Sequence, residues 1–153
     1  MFRGEYHNLV DDKGRLSIPA KFRELISSQH VGPLVVTLGL DPCLWLYPGD
    51  TWKKNEEQLS RLNPFDADAR QLVRAFLGSS EECDLDKQGR IVISPVLRRA
   101  AGLNRNVVLV GLLNRVEIWD KEKYESYRNQ AAGSLESLAQ KLAEKGPAPD
   151  LTL

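Results

Sequence analysis

The chain has 153 residues, in which 21 Lys and Arg are balanced by 21 Asp and Glu, with 42% hydrophobic and 27% charged residues. This is the composition of a folded globular protein, long enough for one domain or for two small units that share a core. No apolar run approaches the roughly 18 to 20 residues that span a bilayer, and the zero net charge is unlike that of a protein that grips nucleic acid through bulk basicity.

Met1-Phe2-Arg3-Gly4-Glu5 lacks the apolar stretch of a secretory signal, so a cytoplasmic location is expected. Glu5 to Val10 reads as a strand. Asp11-Asp12-Lys13-Gly14 reads as a turn whose glycine takes positive φ at no steric cost. Arg15 to Ile18 returns as a second strand, and Pro19 suits the first turn of a helix with Phe22, Leu25 and Ile26 on one side. Residues 33 to 47 follow as a hairpin around Asp41-Pro42.

Residues 53 to 78 alternate leucines, Val73 and Phe76 with charges, which predicts two helices broken by Asn63-Pro64. The opening plan then recurs. Leu85-Asp86-Lys87-Gln88-Gly89-Arg90-Ile91-Val92-Ile93 matches Val10 to Ile18 at an offset of 75, and Leu97-Arg98 matches Phe22-Arg23 at the same offset. Ser94 is placed to cap a helix that Pro95 begins and Gly102 ends, and residues 106 to 119 make a second hairpin about Gly111 to Arg115. Asp120 is a plausible cap for a helical stretch running to Lys145, patterned by Tyr124, Tyr127, Leu135, Leu138 and Leu142. Gly146-Pro147-Ala148-Pro149 opens a tail expected to be disordered.

The fold expected is mainly β with short helices (α+β): two ββαββ repeats over 5–52 and 81–124, a helical connector over 53–80, a C-terminal helix over 125–145 and a tail over 146–153. Cys43 and Cys83 have no CxxC spacing, and only His7 and His30 accompany them, so neither a zinc site nor a disulfide is expected. Neither a nucleophile with a base nor a phosphate-binding glycine loop is evident, so no enzymatic role, catalytic residue or cofactor is predicted.

The basic residues gather where the repeats match: Lys13, Arg15, Lys21 and Arg23 in one, and Lys87, Arg90, Arg98 and Arg99 in the other. In Asp-x-x-Gly-Arg the acid bonds the turn's own amides and the glycine permits the reversal, so Asp11, Gly14, Asp86 and Gly89 present Arg15 and Arg90 at fixed angles. An arginine so presented suits bidentate contact with guanine O6 and N7. Lys13, Lys21 and Lys87 suit phosphates; Gln88, opposite Lys13 in the repeat, is either a base reader or a bystander, and Arg23 and Arg98 are either DNA contacts or merely solvated. The plainer alternative for Asp11 and Arg15 is a surface salt bridge within the turn. With one or two such arginines per copy, useful affinity requires several chains on several DNA sites.

DDKGRLSIPAKFR and DKQGRIVISPVLRRAAGL resemble the swapped-hairpin core of AbrB, SpoVT and MazE-type DNA-binding domains. The opening MFRGEYHNLVDDKGRLSIPAKFR, the doubled motif and the length resemble the MraZ family of transcriptional regulators. The resemblance implies two AbrB-like repeats interleaved as a pseudo-dimeric, double-ψ-like barrel. It further implies homo-oligomeric rings on double-stranded DNA in the nucleoid, bound to short direct repeats upstream of a division and cell-wall gene cluster that includes the protein's own gene. Asp11 and Arg15 match the first family motif, and Asp86 and Arg90 the second; Pro95 stands one position later than the counterpart of Pro19. An antitoxin-like protein-binding module, as in MazE, is the alternative reading.

Overall fold

A computed structural model of the chain describes residues 1–130, 133–148 and 153. Strand β1 (Phe2–Leu9) leads through the first turn into β2 (Arg15–Ser17) and helix α1 (Ala20–Gln29). A hairpin of β3 (Leu34–Leu38) and β4 (Leu44–Pro48) runs directly into α2 (Gly49–Ser60) and then α3 (Ala67–Ser79). The plan repeats as β5 (Glu81–Cys83), β6 (Arg90–Val92), α4 (Pro95–Ala100), the hairpin β7 (Asn106–Leu113) and β8 (Arg115–Asp120), and helices α5 (Lys121–Gln130) and α6 (Leu135–Lys145). Among the described residues the element order is therefore ββαββαα, twice.

The repeats are interleaved. A six-stranded antiparallel sheet runs β1-β7-β8-β4-β3-β5, so each repeat's first strand borders the hairpin of the other. The hairpins meet at the centre, where β4 pairs with β8. Strand β2 pairs with β6 rather than folding back on β1, giving a separate two-stranded ribbon with Arg15 opposite Val92 and Ser17 opposite Arg90. Val10, Leu16, Ile18 and Phe22 from one repeat and Ile91, Ile93, Leu97, Val107 and Leu109 from the other share one core. Three-residue strands such as β2 and β6 are too short to stand alone. Their fully buried Leu16 and Ile91 anchor them to that core.

A second cluster lies on the other side of the sheet, where α2 and α3 cover Trp45, Tyr47 and Trp119 with Trp52, Leu59 and Phe76. Buried Glu117 accepts one indole N–H from Trp45 and one from Trp119, each at 3.0 Å, and the Arg115 guanidinium lies 4.2 Å above the Trp45 ring. A buried carboxylate so paired avoids the penalty of an isolated charge. Burial pushes the Cys43 thiol well above its ordinary range and Cys83 up to about 12, so neither is poised as a thiolate.

Several expectations require correction. The first strand begins at Phe2, and α2 begins at Gly49, ahead of the segment read as connector. Pro19 is the N-cap of α1 rather than a residue of its first turn, and Ser94, its counterpart 75 residues on, is the N-cap of α4. The displaced proline therefore leaves the helix starts equivalent. The stretch read as one helix to Lys145 is two, because Ser134 caps a new start by accepting from Ser137 N at 3.2 Å. Tyr124 and Tyr127 pack on Trp119, whereas Leu135, Leu138 and Leu142 of α6 stand 86%, 38% and 64% exposed. The tail expectation falls partly outside the described residues, at 149–152; Leu153 is half-buried against the second cluster and accepts from Arg115 Nη1 at 3.0 Å.

The β7–β8 turn carries local strain. Leu112 pairs with Arg115, which leaves Leu113-Asn114 as the turn, and Leu113 has φ +61°. A positive φ at the first central position is the type II′ requirement that glycine ordinarily meets, and it costs a leucine about 1–2 kcal/mol. Because Leu113 is 63% exposed, Leu113→Gly is expected to stabilise the protein by about 0.5–1 kcal/mol, a midpoint rise of a few degrees in thermal unfolding.

Candidate nucleic-acid interface

The two turns flank the β2–β6 ribbon at opposite ends, and each is wired by its leading aspartate. Asp11 Oδ1 accepts from the amides of Lys13 at 3.0 Å and Arg15 at 2.9 Å, and Gly14 N closes the turn on Asp11 O at 2.9 Å. Asp86 does the same for Gln88 at 2.8 Å and Arg90 at 2.9 Å, with Gly89 N on Asp86 O at 3.0 Å. The second carboxylate oxygen takes the arginine side chain through Nε, at 2.5 Å for Arg15 and 2.8 Å for Arg90. Hydrogen bonds from the arginine's own amide first, then from its side chain, hold both carboxyls below the usual aspartate range.

Both readings of Asp-x-x-Gly-Arg therefore describe the same geometry. The intra-turn salt bridge exists, yet it engages Nε and leaves the Nη1/Nη2 end of the fork out of the bond. That end is the one that pairs with two acceptors on a base edge. In-out alternation along the ribbon turns Leu16 and Ile91 inward and puts Arg15, Ser17, Arg90 and Val92 on one outward face. Arg15 and Arg90 hold diagonal positions on that face, where neighbours lie roughly 7–8 Å apart, although 75 residues separate them in the chain.

The helix arginines are brought to the turns across the repeats. Gly14, at φ +79°, lies against the Arg98 guanidinium, and Gly89, at φ +74°, lies against Arg23. Gly14 O accepts from Ile93 N at 2.8 Å and Gly89 O from Ile18 N at 2.9 Å, which extends the ribbon at both ends. Arg98 Nε donates to Ile93 O at 3.1 Å. The buried Nε of Arg23 has no hydrogen-bond partner among the described residues. Arg23 and Arg98 are half-buried supports behind the turns, not freely solvated side chains; Lys13, Lys21, Lys87 and Gln88 are exposed. Ser17 and Val92 were not singled out from sequence, although the alternation of Arg15-Leu16-Ser17 and Arg90-Ile91-Val92 carries their outward placement.

Comparison with known proteins finds similarity over nearly the whole chain. The profile of the MraZ protein family, described as antitoxin-like, matches residues 1–75 and again 76–145. A protein of Moorella thermoacetica named transcriptional regulator MraZ is 45% identical over 144 residues, covering 94% of this chain and 98% of the relative. Relatives of the same name from Syntrophomonas wolfei and Natranaerobius thermophilus are 45% and 43% identical, over 95% and 94% of this chain and 99% and 98% of their own lengths. With the unit matched twice and relatives of this identity aligned end to end, the chain belongs to the MraZ family, whose members found here are named transcriptional regulators.

Proposed function

We propose that this protein is a sequence-specific DNA-binding regulator that reads the major groove with the β2–β6 ribbon. The observation that carries the reading is the pair of aspartate-oriented arginines on the outward face of that ribbon, since the major groove admits a two-stranded β-ribbon. Arg15 and Arg90 contact guanines, Lys13, Lys21 and Lys87 neutralise phosphates, Gln88 lies beside the groove, and Arg23 and Arg98 back the turns from residues 5–52 and 81–124. In keeping with the family, the DNA is taken to be direct repeats upstream of the division and cell-wall cluster that contains the protein's own gene, in the cytoplasmic nucleoid. No reaction is proposed.

One ribbon spans few base pairs and the chain has no net charge, so a single chain is expected to bind weakly and an oligomer, in the family's manner a ring, to bind well. The exposed leucines of α6 supply an apolar stripe that assembly would cover. They also favour the second reading, an antitoxin-like module that engages another protein. Gel-shift titration against DNA from upstream of the protein's own gene, with unrelated competitor and at two salt concentrations, separates the two. Shifted bands that survive competitor and weaken steeply with salt support the regulator; a folded sample that shifts no DNA supports the protein-binding module.

A further inference from the structure

The two ends of the ribbon are built alike and dressed differently. At the offset of 75, Lys13 corresponds to Gln88, Ser17 to Val92 and Lys21 to Val96, and every one of these positions is exposed. Val92 is 58% exposed and Val96 66%. A single exposed valine is ordinary on a protein surface. Val92 differs by its place: its cross-strand partner is Arg15, and Arg90 lies two residues away on the same face. Cross-strand partners bring their Cβ atoms to about 5 Å of each other, so a ribbon seated with its outward face against the base edges sets the shorter Val92 side chain there beside Arg15.

An isopropyl group there gains only by meeting another apolar group, and the apolar group on a major-groove base edge is the thymine C5-methyl. We propose that Val92 is a specificity-determining residue that packs on a thymine methyl beside the guanine contacts; this rests on the DNA-binding reading above. Ser17, its counterpart, presents a hydroxyl that either hydrogen-bonds a base or faces water, so the two halves of the ribbon ask for different base pairs. A protein with true two-fold symmetry favours a palindromic site. The Ser17/Val92 difference instead gives each chain one preferred direction on DNA.

The test begins with a duplex selected by the protein from a random-sequence library, compared with the same duplex in which deoxyuridine replaces thymine, a change that removes only the methyl groups. The wild-type chain is expected to bind the deoxyuridine duplex about fourfold more weakly, the factor that burial of one methyl-sized group confers. Val92→Ser installs the residue the fold already carries at position 17, and this variant is expected to bind both duplexes equally. Arg15→Ala is expected to weaken both while keeping the thymine preference. A selected site without thymine next to guanine, a wild-type chain indifferent to the methyl, or a Val92→Ser variant that still prefers thymine overturns the role of Val92 and leaves DNA binding intact. Failure to select any duplex overturns both.

Discussion

Arg15→Ala and Arg90→Ala are each expected to weaken binding to the selected duplex by about 1–3 kcal/mol, roughly fivefold to more than a hundredfold, with little change in thermal stability. The prediction follows from which end of the guanidinium is occupied. Asp11 and Asp86 hold the Nε side, which fixes each side chain without consuming the Nη pair. The stability change is small because both ion pairs are over a quarter exposed, and solvent screens a surface pair. Arg15→Lys is expected to lose most of the same discrimination, because an ammonium keeps the charge but not the planar fork. Affinity for unrelated DNA and its salt dependence are expected to change little, since the lysines at the phosphates remain. If the motif served only the turn, Arg15→Ala would lower the unfolding midpoint and leave DNA affinity untouched; titration and thermal melts on the same samples decide the matter.

The second large effect concerns the two glycines, which share a backbone conformation and differ in their neighbours. Alanine at either position carries the left-handed cost of about 1–2 kcal/mol. At Gly14 the new Cβ would also fall 2.5 Å from the backbone oxygen of Ile93, which cannot retreat without opening the Gly14–Ile93 hydrogen bond between the repeats. At Gly89 the crowding atoms, Cδ to Nη1, belong to the half-buried Arg23 side chain rather than to backbone, so relief displaces that side chain and leaves the ribbon's hydrogen bonds in place. Gly14→Ala is therefore expected to cost about 2–4 kcal/mol and to loosen the ribbon. Gly89→Ala is expected to cost about half as much in stability and to show its larger effect in DNA binding, through displaced Arg23. Urea unfolding read beside gel-shift affinity checks this, and equal stability losses at the two glycines would contradict it.

Much of the site is written in contiguous residues. The offset of 75 exposed the duplication, and the spacing of Asp, Gly and Arg predicted a turn wired by its own aspartate, which the hydrogen bonds of Asp11 and Asp86 realise. Such features depend on groups within four residues of one another, so the local pattern suffices to read them. The connector helices were legible for the same reason, from an apolar periodicity interrupted by Asn63-Pro64.

The residue pattern by itself left pairing open, and only the family resemblance anticipated that the repeats interleave. Period-two alternation says that Leu16 and Ile91 share a face type, but not that β2 lies against β6, because ladder hydrogen bonds join segments whose distance along the chain leaves no local trace. For the same reason the sequence placed Arg23 and Arg98 on helix surfaces, and only the fold showed each tucked behind the other repeat's turn. The stretch to Lys145 kept a helical pattern across its break, and the exposure of Leu135 and Leu142 depends on what α6 packs against rather than on its own periodicity. Local residues thus determined which turns and helices form and where two arginines would be presented. Tertiary packing decided that those arginines share one face, because only burial of Leu16 and Ile91 in a common core draws two three-residue strands into a single ribbon.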